Sequence, residues 1–173
     1  MQGVRIIYAA QIIAAGPPGR RLPRAMQSQA ARDLLARIAG ETQTTSSRSH
    51  SRAAVAVAAS PRAGLSLGID IEWIAPERPI AAIARDYLGA ASAGLSVREF
   101  YRAWTFYEAF FKAFQRSPSP AAIAEVLASR ADMCRLHDGT QIVQRRVKDG
   151  FQLSLVWSGG ECVPDYCGEL VCD

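Results

Sequence analysis

Apolar residues in this chain fall in short runs punctuated by glycine, proline and serine, and the runs are of two kinds. Residues 4–9, 53–59, 65–72, 141–147 and 151–157 are brief and rich in Val, Ile, Leu and Ala, as strands are. Residues 26–38, 78–88, 97–115 and 120–129 carry apolar positions at helical spacing instead. Leu34, Leu35 and Ile38 mark one side of the first helix, and Phe100, Trp104, Phe110, Phe111 and Phe114 run along the third. The punctuation agrees with these bounds. Gly16-Pro17-Pro18-Gly19 is a break, Gly40 stops the first helix, and Pro76 and Pro79 precede the second. Ser119 stands in a cap position before Pro120, which suits the first turn of a helix.

Two hairpins are expected. One joins 53–59 to 65–72 through Ser60-Pro61-Arg62-Ala63-Gly64, and the other joins 141–147 to 151–157 through Lys148-Asp149-Gly150. Residues 41–51 are polar and rich in Ser and Thr, and read as a loop that delivers His50. From residue 158 onward the chain reads as an irregular tail. Strands and helices mix without strict βαβ alternation, so the expected class is α+β.

A chain of 173 residues, 49% hydrophobic and 21% charged, has the composition of a globular domain with a real core. No run approaches the ~20 apolar residues of a membrane span. The apolar N-terminus is interrupted by Gln11 and reads as a first strand rather than a signal peptide. Positive charge is carried by 18 arginines and only two lysines, Lys112 and Lys148. It is concentrated early: residues 1–52 hold eight arginines against Asp33 and Glu41. A basic first third suits a polyanionic ligand. Nucleic acid would satisfy it too, but no helix-turn-helix, zinc-finger or RNP-like aromatic pattern accompanies it. Cys134, Cys162, Cys167 and Cys172 lack the paired C-x₂-C spacing of a zinc module, which leaves reduced thiols as the reading.

The chemistry concentrates in two stretches. In Gly68-Ile69-Asp70-Ile71-Glu72, strand alternation puts Ile69 and Ile71 on one face and Asp70 and Glu72 on the other. In the third helix, Trp104, Glu108 and Lys112 succeed one another at i, i+4 spacing and line one edge. Three carboxylates and a lysine on two facing elements suit a hard divalent cation that holds a phosphorylated substrate. The plain alternatives are a solvated Asp-x-Glu turn and a surface Glu108–Lys112 ion pair.

Gly-Ile-Asp-Ile-Glu, followed 38 residues after Asp70 by the Glu108 of Trp104-Thr105-x-x-Glu108-Ala109-x-x-Lys112, resembles the 4'-phosphopantetheinyl transferases. Ser49-His50-Ser51 resembles the Ser-His-Ser of the larger, Sfp-like class. The three motifs together span residues 49–113. The resemblance implies two similar α+β lobes with coenzyme A between them, approximately residues 1–64 and 65–157 of a single domain over 1–173, with 158–173 a tail. It implies transfer of the phosphopantetheine arm of coenzyme A to a serine of an apo acyl or peptidyl carrier protein, with Mg²⁺ as cofactor. Asp70, Glu72 and Glu108 would be the metal ligands, and Asp70, Glu108 and Lys112 the catalytic groups. Ser49, His50 and Lys112, with Arg20 and Arg24 from the basic N-terminal third, would hold coenzyme A. The enzyme would be a cytoplasmic monomer without nucleic-acid or membrane partners. Two departures stand out: Tyr107 replaces the lysine that usually precedes the helix glutamate, and no Gly-Lys-Pro segment lies between Gly40 and Ser49. They motivate a second reading, a catalytically weak relative that binds a carrier protein or coenzyme A without turnover. Other Mg²⁺-dependent phosphotransfer lacks a phosphate loop here, since no G-x-x-x-x-G-K-(S/T) is present.

Overall fold

The computed structural model describes residues 4–13, 19–39, 44–75, 77–89, 94–129 and 131–171. Among these, Gln11, Ala9 and their neighbours form β1 (Ile7–Ile12), which lies beside β3 (Ala54–Ser60) in antiparallel register. β2 (Thr45–Ser51) pairs with the other edge of β3, and β8 (Asp165–Val171) runs parallel to β1. The resulting order is β2-β3-β1-β8. A second four-stranded sheet has the order β4-β7-β6-β5, built from β4 (Ser66–Trp73), β5 (Met133–Arg135), β6 (Gln141–Val147) and β7 (Phe151–Ser158). All its pairings are antiparallel. The four described helices are α1 (Arg24–Ala39), α2 (Ile80–Leu88), α3 (Val97–Phe114) and α4 (Pro120–Ala128). The class is α+β, as the mixed pattern predicts.

Alternation along the strands decides the layering. In β3, Val55, Val57 and Ala59 face α1 through Ala31, Leu34 and Leu35, while Ala54, Ala56 and Ala58 face the other sheet. The strand is buried on both sides, which is why it reads as a continuous apolar run. In the second sheet, Ile69, Ile71, Leu153, Leu155 and Trp157 join Tyr8 and the β3 alanines between the sheets. Its opposite face, with Ile142 and Val156, receives Phe100, Phe106 and Phe110 of α3 and Ile123 and Val126 of α4. The order of layers is therefore helix, sheet, sheet, helices.

The helix ends follow local chemistry. Ser96 and Glu99 close a capping box at the start of α3, and Gln115 adopts the left-handed conformation at its end. Ser119 caps α4 ahead of Pro120. The 148–150 turn joins β6 and β7 as a tight hairpin.

Four expectations are corrected. Residues 45–51 are a strand and not a loop, because their backbone pairs with β3 and their serine face meets protein rather than water. Residues 53–59 and 65–72 do not form a hairpin: β3 and β4 belong to different sheets, each already paired elsewhere, and 60–64 carries the chain between layers. The segment after 158 is not irregular throughout, since Asp165–Val171 completes the first sheet against β1. The first strand is also shifted from 4–9 to Ile7–Ile12. Residues 16–18 of the Gly-Pro break, Gly40, Pro76 and Cys172 lie outside the described residues. No described helix is long and apolar enough to cross a membrane.

Candidate active site

β4 is an edge strand, so its outward amides need partners other than a neighbouring backbone. Serines of β2 supply them. Ser47 Oγ accepts from Ile69 N at 3.0 Å and Ser51 Oγ accepts from Trp73 N at 3.1 Å. Ser49 Oγ donates to Asp70 Oδ1 at 2.7 Å, and Ser51 Oγ donates to Glu72 Oε2 at 2.8 Å. The two-residue period of Ser47, Ser49 and Ser51 thus matches the two-residue period of β4, and side chains take the place of a backbone ladder between the sheets. The Ser-His-Ser motif is placed against the Asp-x-Glu motif by this match.

From the other side comes α3. A Cβ on Gly68 would overlap the Ala109 carbonyl oxygen and crowd the Ala113 nitrogen, so only glycine lets the helix lie on β4 at this depth. Lys112 Nζ then reaches Asp70 Oδ1 at 2.8 Å and the Ile69 carbonyl at 3.0 Å. Lys112 pairs with Asp70, not with Glu108 as the surface-pair reading would have it. Glu108, one turn earlier, is half-buried and lies within electrostatic reach of both Asp70 and Lys112. Trp104, another turn back, has a buried indole N–H that makes no full hydrogen bond but still favours the charged form of Glu72. Arg78 is paired with Glu72 at 3.5 Å.

Charge in this cluster is poorly hydrated. Asp70 is only 4% exposed, and its burial raises the carboxyl above its usual value despite Lys112 and Ser49. Burial and the neighbouring Asp70 charge raise Glu72, against the pull of Arg78 and Ser51. The same two causes raise Glu108, opposed by Lys112. His50 is pushed below the ordinary imidazole value by burial and by the charges of Arg24 and Lys112, with Asp70 acting the other way. Carboxylates that disfavour one another and cations that repel one another thus share a single site.

The segment leading into α1 passes close by. Gly19 lies against the Trp73 indole, where a Cβ would stand 3.2 Å from Nε1, and Gln27 Nε2 donates to Arg52 O at 2.6 Å. This brings Arg24 to within electrostatic reach of His50. Arg20 is exposed. The Tyr107 hydroxyl is committed to Ser117 Oγ at 2.8 Å, and its ring stacks on Trp104 with centroids 5.9 Å apart. Comparison with protein-family models and with curated proteins finds no match to the chain. What the site does has to be read from its side chains.

A hard cation is one candidate occupant. Among the described residues, no three His, Cys, Asp or Glu side chains stand close enough together to enclose a metal by themselves. Mg²⁺ does not require that: one or two carboxylates, with waters and substrate phosphates, suffice. Asp70 Oδ2 is buried without a hydrogen-bond partner, an unmet acceptor on a carboxylate whose charge raises both Glu72 and Glu108. That donor chemistry fits Mg²⁺ held jointly with a phosphorylated ligand. The sequence reading names Asp70, Glu72, Glu108, Lys112, Ser49, His50 and Arg24, and all of these lie around the end of β4. It passes over Ser47, Arg78 and Gly68 as working parts. The period-two serines were a visible signal for the first. For Arg78 there was none, because its partner is fixed by the turn after β4.

Proposed function

We propose that this protein is a 4'-phosphopantetheinyl transferase, built as two α+β lobes, which moves the phosphopantetheine arm of coenzyme A onto a serine of an apo acyl or peptidyl carrier protein. The observation that carries the reading is Asp70: buried, tied to Lys112 and Ser49 through Oδ1, and left with an unmet acceptor at Oδ2. A carboxylate oxygen kept in that state is costly unless something cationic meets it.

The chemistry is a displacement at phosphorus. The serine oxygen of the carrier bonds to the phosphorus that bears pantetheine, the bridging P–O bond breaks, and the electron pair leaves with adenosine 3',5'-bisphosphate. Catalysis of this kind is chiefly positioning and charge neutralisation. Bound Mg²⁺ would supply neutralisation of the pyrophosphate, with Asp70 and either Glu72 or Glu108 as protein ligands. Glu108 accepts the proton from the serine hydroxyl; a carboxylate whose burial makes it a stronger base suits that task. Lys112 orients the phosphates as a point charge. His50 and Arg24 form the cationic corner that receives the 3'-phosphate, and His50 gains a proton when the dianion arrives.

One observation favours the binding-only relative: Tyr107 turns its hydroxyl to Ser117 and gives no charge to a phosphate. The release of adenosine 3',5'-bisphosphate separates the two readings. Protein, coenzyme A, Mg²⁺ and an apo carrier should give carrier-dependent release of that nucleotide. Coenzyme A binding without release would establish the binding-only relative instead.

A further inference from the structure

The strand register sets Glu72, Gln152 and Arg146 in one row across β4, β7 and β6, on the face that α3 covers. Strand spacing puts Arg146 about 10 Å across the sheet from Glu72. On that far side lies a cleft of about 400 Å³, lined by Arg98 and Arg102 from α3, by Gln144, Arg146 and Gln152 from the sheet, and by Asp132. It lies apart from Asp70, Glu108, Lys112 and His50, none of which lines it.

Three guanidinium groups line this volume. Arg102 is fixed in place: Nε donates to Gln144 Oε1 at 3.0 Å, and Nη2 donates to the carbonyls of Val126 and Ser129 at 3.0 and 2.7 Å. Its Nη1 takes part in none of these bonds. Gln144 is itself held, donating to Arg102 O at 2.8 Å and Ser154 Oγ at 3.0 Å. The Arg98 and Arg146 side chains have no ion-pair or hydrogen-bond partner among the described residues. The acidic lining does not cancel them. Glu99 is engaged in the helix cap, accepting from Ser96 N at 2.9 Å and Ser96 Oγ at 2.6 Å, and Asp132 is one charge against three. Burial, and then the charge of Arg98, hold Arg102 below its ordinary value, a sign of cations placed together.

We propose that this cleft is an anion site that takes a small oxyanion ligand, a carboxylate or a phosphate, on the guanidinium groups of Arg98, Arg102 and Arg146. Its volume is that of a metabolite-sized pocket. Planar guanidinium forks match both ligand types with paired charge-assisted hydrogen bonds. The rigid member, Arg102, sets the position, and the two exposed arginines close on the ligand from either side.

Isothermal titration of the full chain tests this, with citrate in one arm and inorganic phosphate in the other. At least one anion should bind. An Arg98→Gln/Arg146→Gln variant should lose about tenfold or more in affinity, and His50→Ala should leave that binding in place. Both arginines are exposed, so the variant keeps its fold, which circular dichroism checks. Citrate binding alone would name a carboxylate ligand, and phosphate binding a phosphate. No binding of either, unchanged affinity in the double variant, or loss in His50→Ala instead would overturn the assignment.

Discussion

Lys112 divides the two oxygens of Asp70: its ammonium sits 2.8 Å from Oδ1, which also takes the Ser49 hydroxyl, while Oδ2 has no partner. The same ammonium donates to the Ile69 carbonyl at 3.0 Å, so one side chain ties α3 to the open edge of β4. Half of the carboxylate serves the fold and half is left without a partner.

Removing the cation should therefore be expensive. Lys112→Met leaves Asp70 buried beside an apolar chain, and should cost about 3 kcal/mol in urea unfolding. Asp70→Asn should recover much of that loss in the Lys112→Met background. A double-mutant cycle with no coupling between the two would contradict the tether.

Gly68 sets how deeply α3 lies on the sheet. Gly68→Ala should destabilise by about 3 kcal/mol, near the upper end for overpacked cores, because the new methyl meets helix backbone and not a flexible side chain. Transfer activity should fall further than the unfolded fraction explains, since Glu108 and Lys112 move with the helix. Chemical denaturation and activity on the same sample check both.

Glu108 stands above its ordinary value of 4.5. A carboxyl with a higher pKa in the folded than in the unfolded state binds its proton more tightly when folded. Its contribution to stability is present at low pH and is lost as pH rises from the unfolded value through the folded one. Glu108→Gln escapes that loss. Without Mg²⁺ its Tm should gain on wild type as pH rises above about 4.5 and then level off, while turnover drops about 10²-fold or more. Thermal melts from about pH 4 to about pH 8 would contradict this if the gap narrowed with rising pH.

His50 and Arg24 form the corner assigned to the 3'-phosphate. His50→Ala should weaken coenzyme A by about tenfold while leaving dephospho-coenzyme A nearly unchanged. Equal loss for both ligands, read by calorimetry, would place His50 elsewhere in the site.

Much of this architecture was legible because its periods are local. The apolar runs of β3, β4, β6 and β7, the aromatic face of α3 and the capping signal at Ser119 each declare themselves within a few residues. What hydropathy missed depends on distant partners. Residues 45–51 look like a loop because their serines are polar; their backbone pairs with β3, and only the edge of β4, some 20 residues on, explains the serine face. The 60–64 turn signals a hairpin, but both flanking strands find better partners in other parts of the chain. β8 is a strand because β1 has a free edge, which nothing in residues 165–171 reveals. The site shows the same division. Asp70, Glu72, Glu108 and Lys112 stand out by spacing, whereas Arg78 joins them only through the turn that follows β4.

Intact mass spectrometry of apo carrier proteins incubated with this protein, coenzyme A and Mg²⁺ tests the central claim most directly. The expected result is a mass gain of one phosphopantetheine on a carrier, abolished by EDTA and by Asp70→Asn. A carrier panel that stays unmodified while the folded protein binds coenzyme A would contradict transfer, and a gain that survives EDTA would contradict the metal.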